Sequence, residues 1–198
     1  MIRGAEAIVT FEDGLVRKRR VRKGYRDERI DEKLITQRTR TEAAILQRLE
    51  GIRGVPRLVS VEGSDLLIER IEAEPYAGQP IARALAQLIH DVHERGVTHA
   101  DVSPKNILVL EQVYLIDYGL SSFSDRIEDR AYDLFMTHET FSAYAGFAEE
   151  LISAYRELLE DPSPFDERIE RIGTRGRHKK KGFTQPRRPS YEEPHVRS

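Results

Sequence analysis

One ordered set of polar residues in the middle of the chain restricts its possible folds more than any other feature. His99, Asp101 and Asn106 lie close together, and Asp117-Tyr118-Gly119 follows the apolar run 113–116. Phosphoryl transfer needs a carboxylate that accepts the acceptor's proton, and oxygen ligands that hold Mg²⁺ against the phosphates. Asp101 suits the first role, and Asn106 with Asp117 suits the second. The joint spacing predicts a kinase-like active site.

A plainer interpretation of the same residues is a turn rich in Asp and Asn that leads into a hairpin. In that case the tripeptide 117–119 is only the exit turn of the hairpin. This alternative explains each residue alone but not the spacing of all of them together.

Length and composition narrow the class of protein. A conventional two-lobed protein kinase domain usually needs more than 198 residues, so we expect a reduced version. The chain is 39% hydrophobic and 33% charged, which is typical of a globular protein with a strongly charged surface. A net charge of −2 predicts no general affinity for nucleic acid, although 17–29 and 175–181 are locally basic.

The same composition gives an expectation for the compartment. The chain has no cysteine, no apolar run long enough to cross a bilayer and no signal-like N-terminus. We therefore expect a cytoplasmic protein that does not contact membranes.

The first third of the chain reads as a small antiparallel sheet and one long helix. Strands are predicted over 5–12 and 14–20, joined at Asp13-Gly14, and over 57–61 and 66–70. Apolar residues at helical spacing predict a helix over 30–49, with Asp31 as a possible N-cap and Gly51 as its stop. The segment 72–80 has prolines and no periodicity, and we place a hinge there.

The remainder is predicted to be mainly helical. Helices are expected over 81–95, 129–136 and 139–160, and the residues beyond 173 are basic and then rich in proline. The prediction is an α+β, minimal two-lobed protein-kinase-like fold. Its N-lobe covers 1–72 and its C-lobe 73–172. A flexible basic tail, 173–198, follows, of which 182–198 is the most clearly tail-like.

Two charged residues of the N-lobe are candidates for the ATP site. A kinase N-lobe presents a strand lysine to the phosphates and pairs it with a helix glutamate, and Lys18 and Glu42 suit these roles. Lys18 shares strand parity with Val16, which predicts that it points inward. The alternatives are a solvated basic strand and a surface ion pair between Glu42 and Arg38.

Two further residues are weaker candidates for phosphate contacts. Gly4 is the single glycine where a phosphate-covering loop usually has three, yet its backbone could still approach a phosphate. Lys105 lies beside Asn106 and could neutralise the γ-phosphate, although a solvent-facing lysine is an equal alternative.

Other polar residues in or near the predicted catalytic loop, 99–106, are assigned supporting roles. We expect His99 to order the loop by hydrogen bonds and packing. Asp133 either begins a helix or accepts amide hydrogen bonds from the catalytic loop, and the sequence leaves both open. His90 and His93 have helical spacing, but no third ligand suggests zinc. The short distance from Gly119 to Asp133 leaves no room for a full activation segment, so water or a bound partner is the expected phosphoryl acceptor.

Taken together, these motifs resemble the small atypical kinase of the KEOPS tRNA-modification complex, the family of the yeast bud-site-selection kinase and human PRPK. The resemblance runs from about residue 4 to residue 181. It rests on GAEA (4–7), KxRxxKGYR (18–26), DEKL (31–34), RTRTEA (38–43), HxD to Asn (99–106), IDYGLS (116–121), EDRAYDL (128–134) and RGRHK (175–179). The compact chain resembles the free-standing archaeal form.

The resemblance implies a function and a set of partners. It implies a Ser/Thr kinase that binds ATP and Mg²⁺, phosphorylates weakly and acts mainly as an ATPase. The implied partners are the threonylcarbamoyl-transferase subunit and a small regulatory subunit, in a complex that modifies adenosine 37 of tRNA. A cationic segment would then contact tRNA phosphates, and its candidates are Arg175, Arg177, Lys179, Lys180 and Lys181.

Two residues depart from the family pattern. Ala100 stands in place of the usual glycine, and Pro104 precedes Lys105 in the loop that aims Asn106. These two residues affect the predicted geometry of the metal ligands.

Two other functions remain as alternatives. A small-molecule phosphotransferase of the aminoglycoside type shares the His-x-Asp and Asn pattern, but little chain remains after Asp117 to build its acceptor pocket. A non-catalytic scaffold with a kinase fold has no chemical need for Asp101, Asn106 and Asp117 together.

Overall fold

The computed structural model describes residues 2–3 and 7–181, with side chains for 7–174. Gly4 lies outside the described residues, so the proposed role of its backbone stays a prediction. The same is true of the tail 182–198. Within the described residues, no helix is both long and apolar enough to span a membrane.

A five-stranded antiparallel sheet forms the N-terminal lobe. Its strands are β1 (Ile2–Arg3), β2 (Ala7–Glu12), β3 (Leu15–Arg20), β4 (Leu58–Glu62) and β5 (Asp65–Glu69), in the spatial order β1-β2-β3-β5-β4. The predicted hairpin at Asp13-Gly14 is confirmed, since β2 and β3 pair directly across it. Because β3 is the central strand, its residue Lys18 is flanked by Val9 on β2 and Leu66 on β5.

The long helix α1 (Glu28–Arg48) follows β3, and its start corrects one prediction. Asp27 is the N-cap, and its carboxylate accepts the N–H groups of Arg29 at 3.0 Å and Ile30 at 3.3 Å. Asp31, the predicted cap, is buried inside the first turns and accepts the N–H of Lys23 at 2.8 Å. The first two residues of α1, Glu28 and Arg29, are polar, and apolar periodicity cannot mark a helix start that precedes the first apolar residue, Ile30.

The C-terminal lobe combines helices with two small sheets. In chain order it contains β6 (Glu74–Pro75), α2 (Ala82–Glu94), β7 (Val97–Thr98), β8 (Ile107–Val109), β9 (Val113–Leu115), β10 (Ser122–Phe123), α3 (Ile127–Phe141), α4 (Phe147–Glu157) and α5 (Ser163–Lys181). One sheet has the order β6-β8-β9, and the other is the pair β10-β7. The predicted α+β class is confirmed.

The single helix predicted over 139–160 is wrong, because the chain bends between α3 and α4. Gly146, with a φ of +76°, is the N-cap of α4. The bend places Phe141 and Phe147 face to face at 4.7 Å, with both rings against Tyr76. Packing of these rings against each other is a tertiary effect that helical periodicity does not reveal.

Helix α5 was not predicted. Its apolar residues are sparse, but Phe165 is fully buried and its ring lies 5.2 Å from that of Tyr155 on α4. The backbone stays helical to Lys181, so a helix occupies 173–181, where the sequence predicts a flexible segment.

One hydrophobic core connects the two lobes. Ile45 and Leu49 near the end of α1 belong to the same buried cluster as Leu85 and Ile89 of α2. Just beyond α1, the carbonyl of Gly54 accepts the N–H of Leu115 on β9 at 2.8 Å. The C-terminal end of α1 is therefore anchored to the C-terminal lobe, and this anchoring fixes where the remainder of the helix meets the cleft.

Candidate active site

Three charged side chains from three elements meet between the lobes. The Nζ atom of Lys18 lies 2.6 Å from Oε1 of Glu42 on α1 and 2.6 Å from Oδ1 of Asp117. The predicted ion pair between Lys18 and Glu42 is therefore present. The predicted parity also holds, since the Lys18 side chain is 11% exposed and that of Arg19 is 64% exposed.

Sequence reasoning missed a second cation at this cluster. Arg20 lies two residues after Lys18 on β3, and its Nη2 atom is 2.6 Å from the other oxygen of Glu42, Oε2. Both side chains are almost fully buried. The signal that could have found Arg20 is the strand parity that identified Lys18, because residues two apart on a strand face the same side.

Asp101 and Asn106 are held together across the catalytic loop. The Nδ2 of Asn106 donates to the carbonyl oxygen of Asp101 at 2.9 Å and to its Oδ2 at 3.0 Å. Pro104 occupies the first position of a short 3₁₀ turn, 104–106, where a missing N–H costs nothing. The proline therefore leaves Asn106 in contact with Asp101, and the departure from the family pattern is accommodated.

Lys105 is an exposed residue beside Asp101. Its Nζ is 3.1 Å from Oδ2 of Asp101, and its side chain is 70% exposed. An exposed lysine with a single ion pair keeps freedom to reach a different anion.

The hairpin of β8 and β9 brings Asn106 and Asp117 to the same end of the sheet. Asn106 precedes β8, Asp117 follows β9, and the N–H of Ile116 donates to the backbone carbonyl of Asn106 at 2.9 Å. Asp117 has a left-handed backbone, with a φ of +65°, and its Oδ1 also accepts the N–H of Gly119 at 3.2 Å. Burial acts to raise the pKa of Asp117, but the Lys18 ammonium and the N–H of Gly119 together outweigh it, and the pKa lies below its ordinary value. The side chain is therefore an anion.

Asp133 binds the backbone at the start of the catalytic loop. Its carboxylate, on the second turn of α3, accepts the N–H of His99 at 2.7 Å and that of Ala100 at 2.9 Å. The alternative in which Asp133 begins a helix is wrong, because α3 begins at Ile127. Burial opposes ionisation of Asp133, yet hydrogen bonds from His93 and the loop amides keep its pKa below the ordinary value.

The backbone at Ala100 is strained. Its φ is +64°, a left-handed conformation that costs an ordinary L-residue about 1–2 kcal/mol. The hydrogen bond from its N–H to Asp133 helps to hold the residue there. Strain of this kind persists where surrounding contacts fix the backbone, which is common at functional loops.

His99 connects the strands around the loop. It is buried, its Nε2 lies 3.2 Å from the carbonyl of Ile116, and its Nδ1 accepts the N–H of Asp101 at 3.3 Å. Its ring meets the edge of Tyr118 at 4.7 Å. Burial lowers the pKa of His99, so the neutral ring donates from Nε2 and accepts at Nδ1.

A buried polar chain continues from Asp133 to α4. His93 lies with its Nε2 3.2 Å from Asp133 and its Nδ1 2.7 Å from the hydroxyl of Tyr155. Burial lowers the pKa of His93. The hydroxyl of Tyr155 then donates to Nδ1 and the Nε2–H of His93 donates to Asp133, so every member of the chain is satisfied.

The donor set fits a metal ion that arrives with phosphates. Within the side chains that the structure describes, no group of three or more His, Cys, Asp or Glu residues is arranged to hold a metal alone. Mg²⁺, however, is usually bound by one or two carboxylates together with substrate phosphates and water. The carboxylate of Asp117 and the amide oxygen of Asn106 are suited to that arrangement.

The remaining candidates are remote from this cluster in the chain. Arg175, Arg177, Lys179, Lys180 and Lys181 have their backbone in the last turns of α5, and their side chains lie outside the described part of the structure.

Comparisons with known proteins agree with this geometry. The model of the phosphotransferase enzyme family matches residues 36–167. The EKC/KEOPS complex subunit BUD32 of Encephalitozoon cuniculi is 34% identical over 164 residues, which cover 77% of this chain and 83% of that protein. A probable bifunctional tRNA threonylcarbamoyladenosine biosynthesis protein of Methanosarcina barkeri is 34% identical over 88% of this chain. The chain spans only 35% of the length of that bifunctional relative.

Two solved structures share the fold. One is the Rio2 kinase of Chaetomium thermophilum in its ADP/Mg²⁺-phosphoaspartate complex, with a TM-score of 0.56 and 15% identity, over 89% of this chain and 69% of that one. The other is a choline/ethanolamine kinase family protein of Mesorhizobium loti, with a TM-score of 0.58 and 14% identity, over 85% and 72% of the two chains. The kinase-like two-lobed fold is thereby confirmed. The chain belongs to the phosphotransferase enzyme family and, within it, to the kinase-like family that includes the KEOPS subunit BUD32.

Proposed function

We propose that this protein is an atypical Ser/Thr kinase that acts mainly as a Mg²⁺-dependent ATPase in a KEOPS-type complex, where it supports threonylcarbamoylation of adenosine 37 in tRNA. One observation carries the proposal. Asp101 is hydrogen-bonded to Asn106, at 3.0 Å, and a backbone hydrogen bond from Ile116 to Asn106, at 2.9 Å, ties this pair to the neighbouring Asp117, which binds Lys18 at 2.6 Å. These are the residues that phosphoryl transfer requires, and they lie in a chain whose relatives include a KEOPS subunit.

Each residue has a distinct chemical task in this proposal. Asp101 accepts the proton of the attacking water or hydroxyl, and its hydrogen bond from Asn106 keeps the carboxylate directed into the cleft. Lys18 binds the α- and β-phosphates, and Glu42 orients it. Asn106 and Asp117 would provide the oxygen ligands for Mg²⁺. A bound Mg²⁺ would offset the negative charge of the phosphoryl group that ATP supplies.

Hydrolysis is favoured over phosphorylation of proteins because the described residues contain no platform for a peptide. Only a short stretch separates Gly119 from Ile127, the first residue of α3, and β10 within it is paired with β7. A peptide acceptor must be held in line with the phosphate, and positioning supplies a large part of any rate enhancement. Water, or an acceptor brought by a partner, meets this requirement more simply.

The proposed partners follow from the relatives. The bifunctional tRNA threonylcarbamoyladenosine biosynthesis proteins contain a match to this chain within a protein about three times as long. This supports a threonylcarbamoyl-transferase subunit as a direct partner, with the small regulatory subunit as a second. The basic segment 175–181 at the end of α5 would contact tRNA phosphates in the complex. We place the complex in the cytoplasm.

The test is Mg²⁺-dependent ATP turnover by the purified chain, alone and with the transferase subunit and tRNA. Free phosphate and protein-bound label are followed separately. Asp101→Asn should lower turnover by about 10²–10⁴-fold, the usual contribution of a general base, with an unchanged melting temperature and partner binding. Asp13→Asn in the β2–β3 turn is the matched control and should keep full activity.

The other outcomes are equally informative. Turnover that survives in Asp101→Asn contradicts Asp101 as the base. Protein-bound label without free phosphate indicates a true protein kinase, and silence of the wild type under every condition indicates a scaffold.

A further inference from the structure

The carboxylate of Glu42 is shared by two cations of the same strand. Its Oε1 lies 2.6 Å from Nζ of Lys18, and its Oε2 lies 2.6 Å from Nη2 of Arg20. The exposed fractions of the side chains are 11% for Lys18, 5% for Arg20 and 1% for Glu42. Each oxygen of the carboxylate is thus committed to a different partner.

We propose that Arg20 is a positioning residue, which holds one oxygen of Glu42 so that Lys18 is left directed at Asp117 and at the phosphates of ATP. This inference rests on the proposed function, because Lys18 is taken to bind ATP. Without Arg20, both oxygens of Glu42 are available to Lys18, and the lysine is drawn toward α1 and away from the nucleotide.

The charges of the cluster support this role. Lys18, Glu42 and Asp117 together carry a net charge of −1, whereas with Arg20 the four side chains sum to zero. Charges interact strongly where water is excluded, so the cluster without Arg20 would repel a polyphosphate more than the complete cluster does. Arg20 restores the positive charge that Glu42 would otherwise cancel.

A contribution to folding stability does not by itself explain why Arg20 is buried at this position. Its Nε is buried without a hydrogen-bond partner, although its Nη2 binds Glu42. An unsatisfied buried donor carries a desolvation penalty, and buried ion pairs are often no better for stability than apolar side chains of similar size. A stability role therefore explains Arg20 less well than a role in orienting Glu42.

Arg20 also reaches the segment that carries Asp117. A Cβ atom added at Gly119 would lie 3.0 Å from Nζ of Lys18 and 3.4 Å from Nη2 of Arg20. Arg20 thus contacts α1 through Glu42 and abuts the 117–119 turn at the same time. Only a short stretch lies between Gly119 and α3. Arg20 on β3 would therefore fix the position of α1 without the help of a phosphorylated loop.

The experiment compares Arg20→Leu and Arg20→Lys with wild type in the full chain. KM and kcat for ATP are measured, together with calorimetric affinity for a non-hydrolysable MgATP analogue. Arg20→Leu should raise both KM and Kd about tenfold, the loss expected when one charge-assisted hydrogen bond no longer orders the cluster. Arg20→Lys should recover most of the affinity, since it restores the charge.

Arg19→Gln is the matched control. Arg19 is the preceding residue on β3, but it faces solvent and pairs with Asp65, at 2.7 Å. Its substitution should leave KM and Kd unchanged. If Arg20→Leu lowers the melting temperature but leaves KM and Kd at the wild-type values, Arg20 is only structural and the inference is overturned.

A double substitution tests whether Arg20 acts through Glu42. In a Glu42→Gln background, Arg20→Leu should produce no further change in KM. A second tenfold loss in that background shows that Arg20 acts independently, which also overturns the inference.

A measurement without nucleotide separates this inference from the proposed function. The rate at which a small acylating reagent modifies Lys18, read by peptide mass spectrometry, should fall several-fold in Arg20→Leu but not in Arg19→Gln. Equal rates overturn the inference. An inactive wild type with the expected change at Lys18 instead contradicts only the proposed ATPase function.

Discussion

The carboxylate of Asp133 lies 2.7 Å from the backbone nitrogen of His99, so a helix of the C-terminal lobe holds the catalytic loop directly by its main chain. The second oxygen binds the next amide, that of Ala100, at 2.9 Å. Side-chain substitutions within the loop leave these two bonds in place. Asp133 therefore fixes the backbone that leads into Asp101, and Asn106 binds Asp101 itself.

Substitution of Asp133 by Asn should misplace the loop. An amide has one acceptor oxygen, so its NH₂ group would face either the N–H of Ala100 or both the N–H of His99 and the ring of His93. We expect the free energy of unfolding to fall by roughly 2–4 kcal/mol, the range for a broken buried charged network, and ATP turnover to fall at least tenfold. Urea denaturation and phosphate release measure the two effects.

The control for this change is on the same helix. Asp129→Asn keeps an oxygen acceptor for the hydroxyl of Ser124, whose Oγ is 2.6 Å from the carboxylate. Its cost should stay below about 1 kcal/mol. Equal losses in both variants would contradict the special role of Asp133.

Stability should depend on pH through the buried histidines. Burial lowers the pKa of His93 and of His99 below the ordinary value of 6.5, so the folded chain keeps both rings neutral while the unfolded chain protonates them. Where the unfolded state binds more protons than the folded state, stability falls as the pH is lowered. It is therefore fully present above about pH 6.5 and declines below it, by up to about 2.7 kcal/mol per pH unit for two protons.

Urea unfolding at a series of pH values between 5 and 7.5 measures this slope. His93 is faced by Asp133, Arg130 and His90, of which Asp133 favours the proton and the other two oppose it. His93→Gln should remove about half of the slope. Stability that instead increases below pH 6.5 would show a protonated His93 paired with Asp133.

Gly54 should tolerate no side chain. Its φ is +90°, and an added Cβ would lie 2.4 Å from the backbone oxygen of Val113. Gly54→Ala combines left-handed strain with a clash against backbone at the junction of the lobes. We expect a loss of roughly 3 kcal/mol or more in the free energy of unfolding.

Gly51 provides a matched comparison three residues earlier. Its φ is +86°, but nothing lies within 4 Å of an added Cβ. Gly51→Ala should cost only about 1 kcal/mol, from the backbone conformation alone. Thermal or urea unfolding of the two variants separates the clash from the strain, and equal losses would contradict the clash.

Relief of the strain at Ala100 should stabilise the protein. Ala100→Gly removes the Cβ from a position with a φ of +64°, and we expect a gain of about 0.5–1 kcal/mol. Ala100→Val should lose at least as much, because a β-branched residue fits this conformation poorly. Unfolding curves measure both, and a loss of stability in the glycine variant would show that the alanine methyl makes a contact worth more than the strain.

Local patterns predicted much of the N-terminal lobe and the cluster around Lys18. Alternation along β3 placed Lys18 inward, and the turn residues Asp13 and Gly14 located the hairpin. Both signals depend on neighbours in the chain, so the sequence alone carries them. Arg20 follows the same alternation, yet its partner on α1 depends on how the helix docks, which no local pattern contains.

The features that the sequence did not predict depend on contacts between elements that are distant in the chain. Asp133 could not be assigned because its partners, His99 and Ala100, are more than thirty residues away in the chain. The bend at Gly146 depends on the rings of Phe141 and Phe147 meeting each other. Helix α5 has few apolar residues, and the burial of Phe165 against Tyr155 becomes evident only in the folded chain.

The short ribbon of β7 and β10 has a consequence for the release of products. β7 leads into the loop with Asp101, and β10 follows the turn with Asp117, so pairing of Thr98 with Ser122 joins the two halves of the catalytic floor. The two segments are thereby joined to each other, whereas Lys18 belongs to the sheet of the N-terminal lobe. Separation of that sheet from the floor would let spent nucleotide leave without disturbing Asp101 or Asn106. Under the proposed function, Asp101 would then already be in place at the start of each turnover.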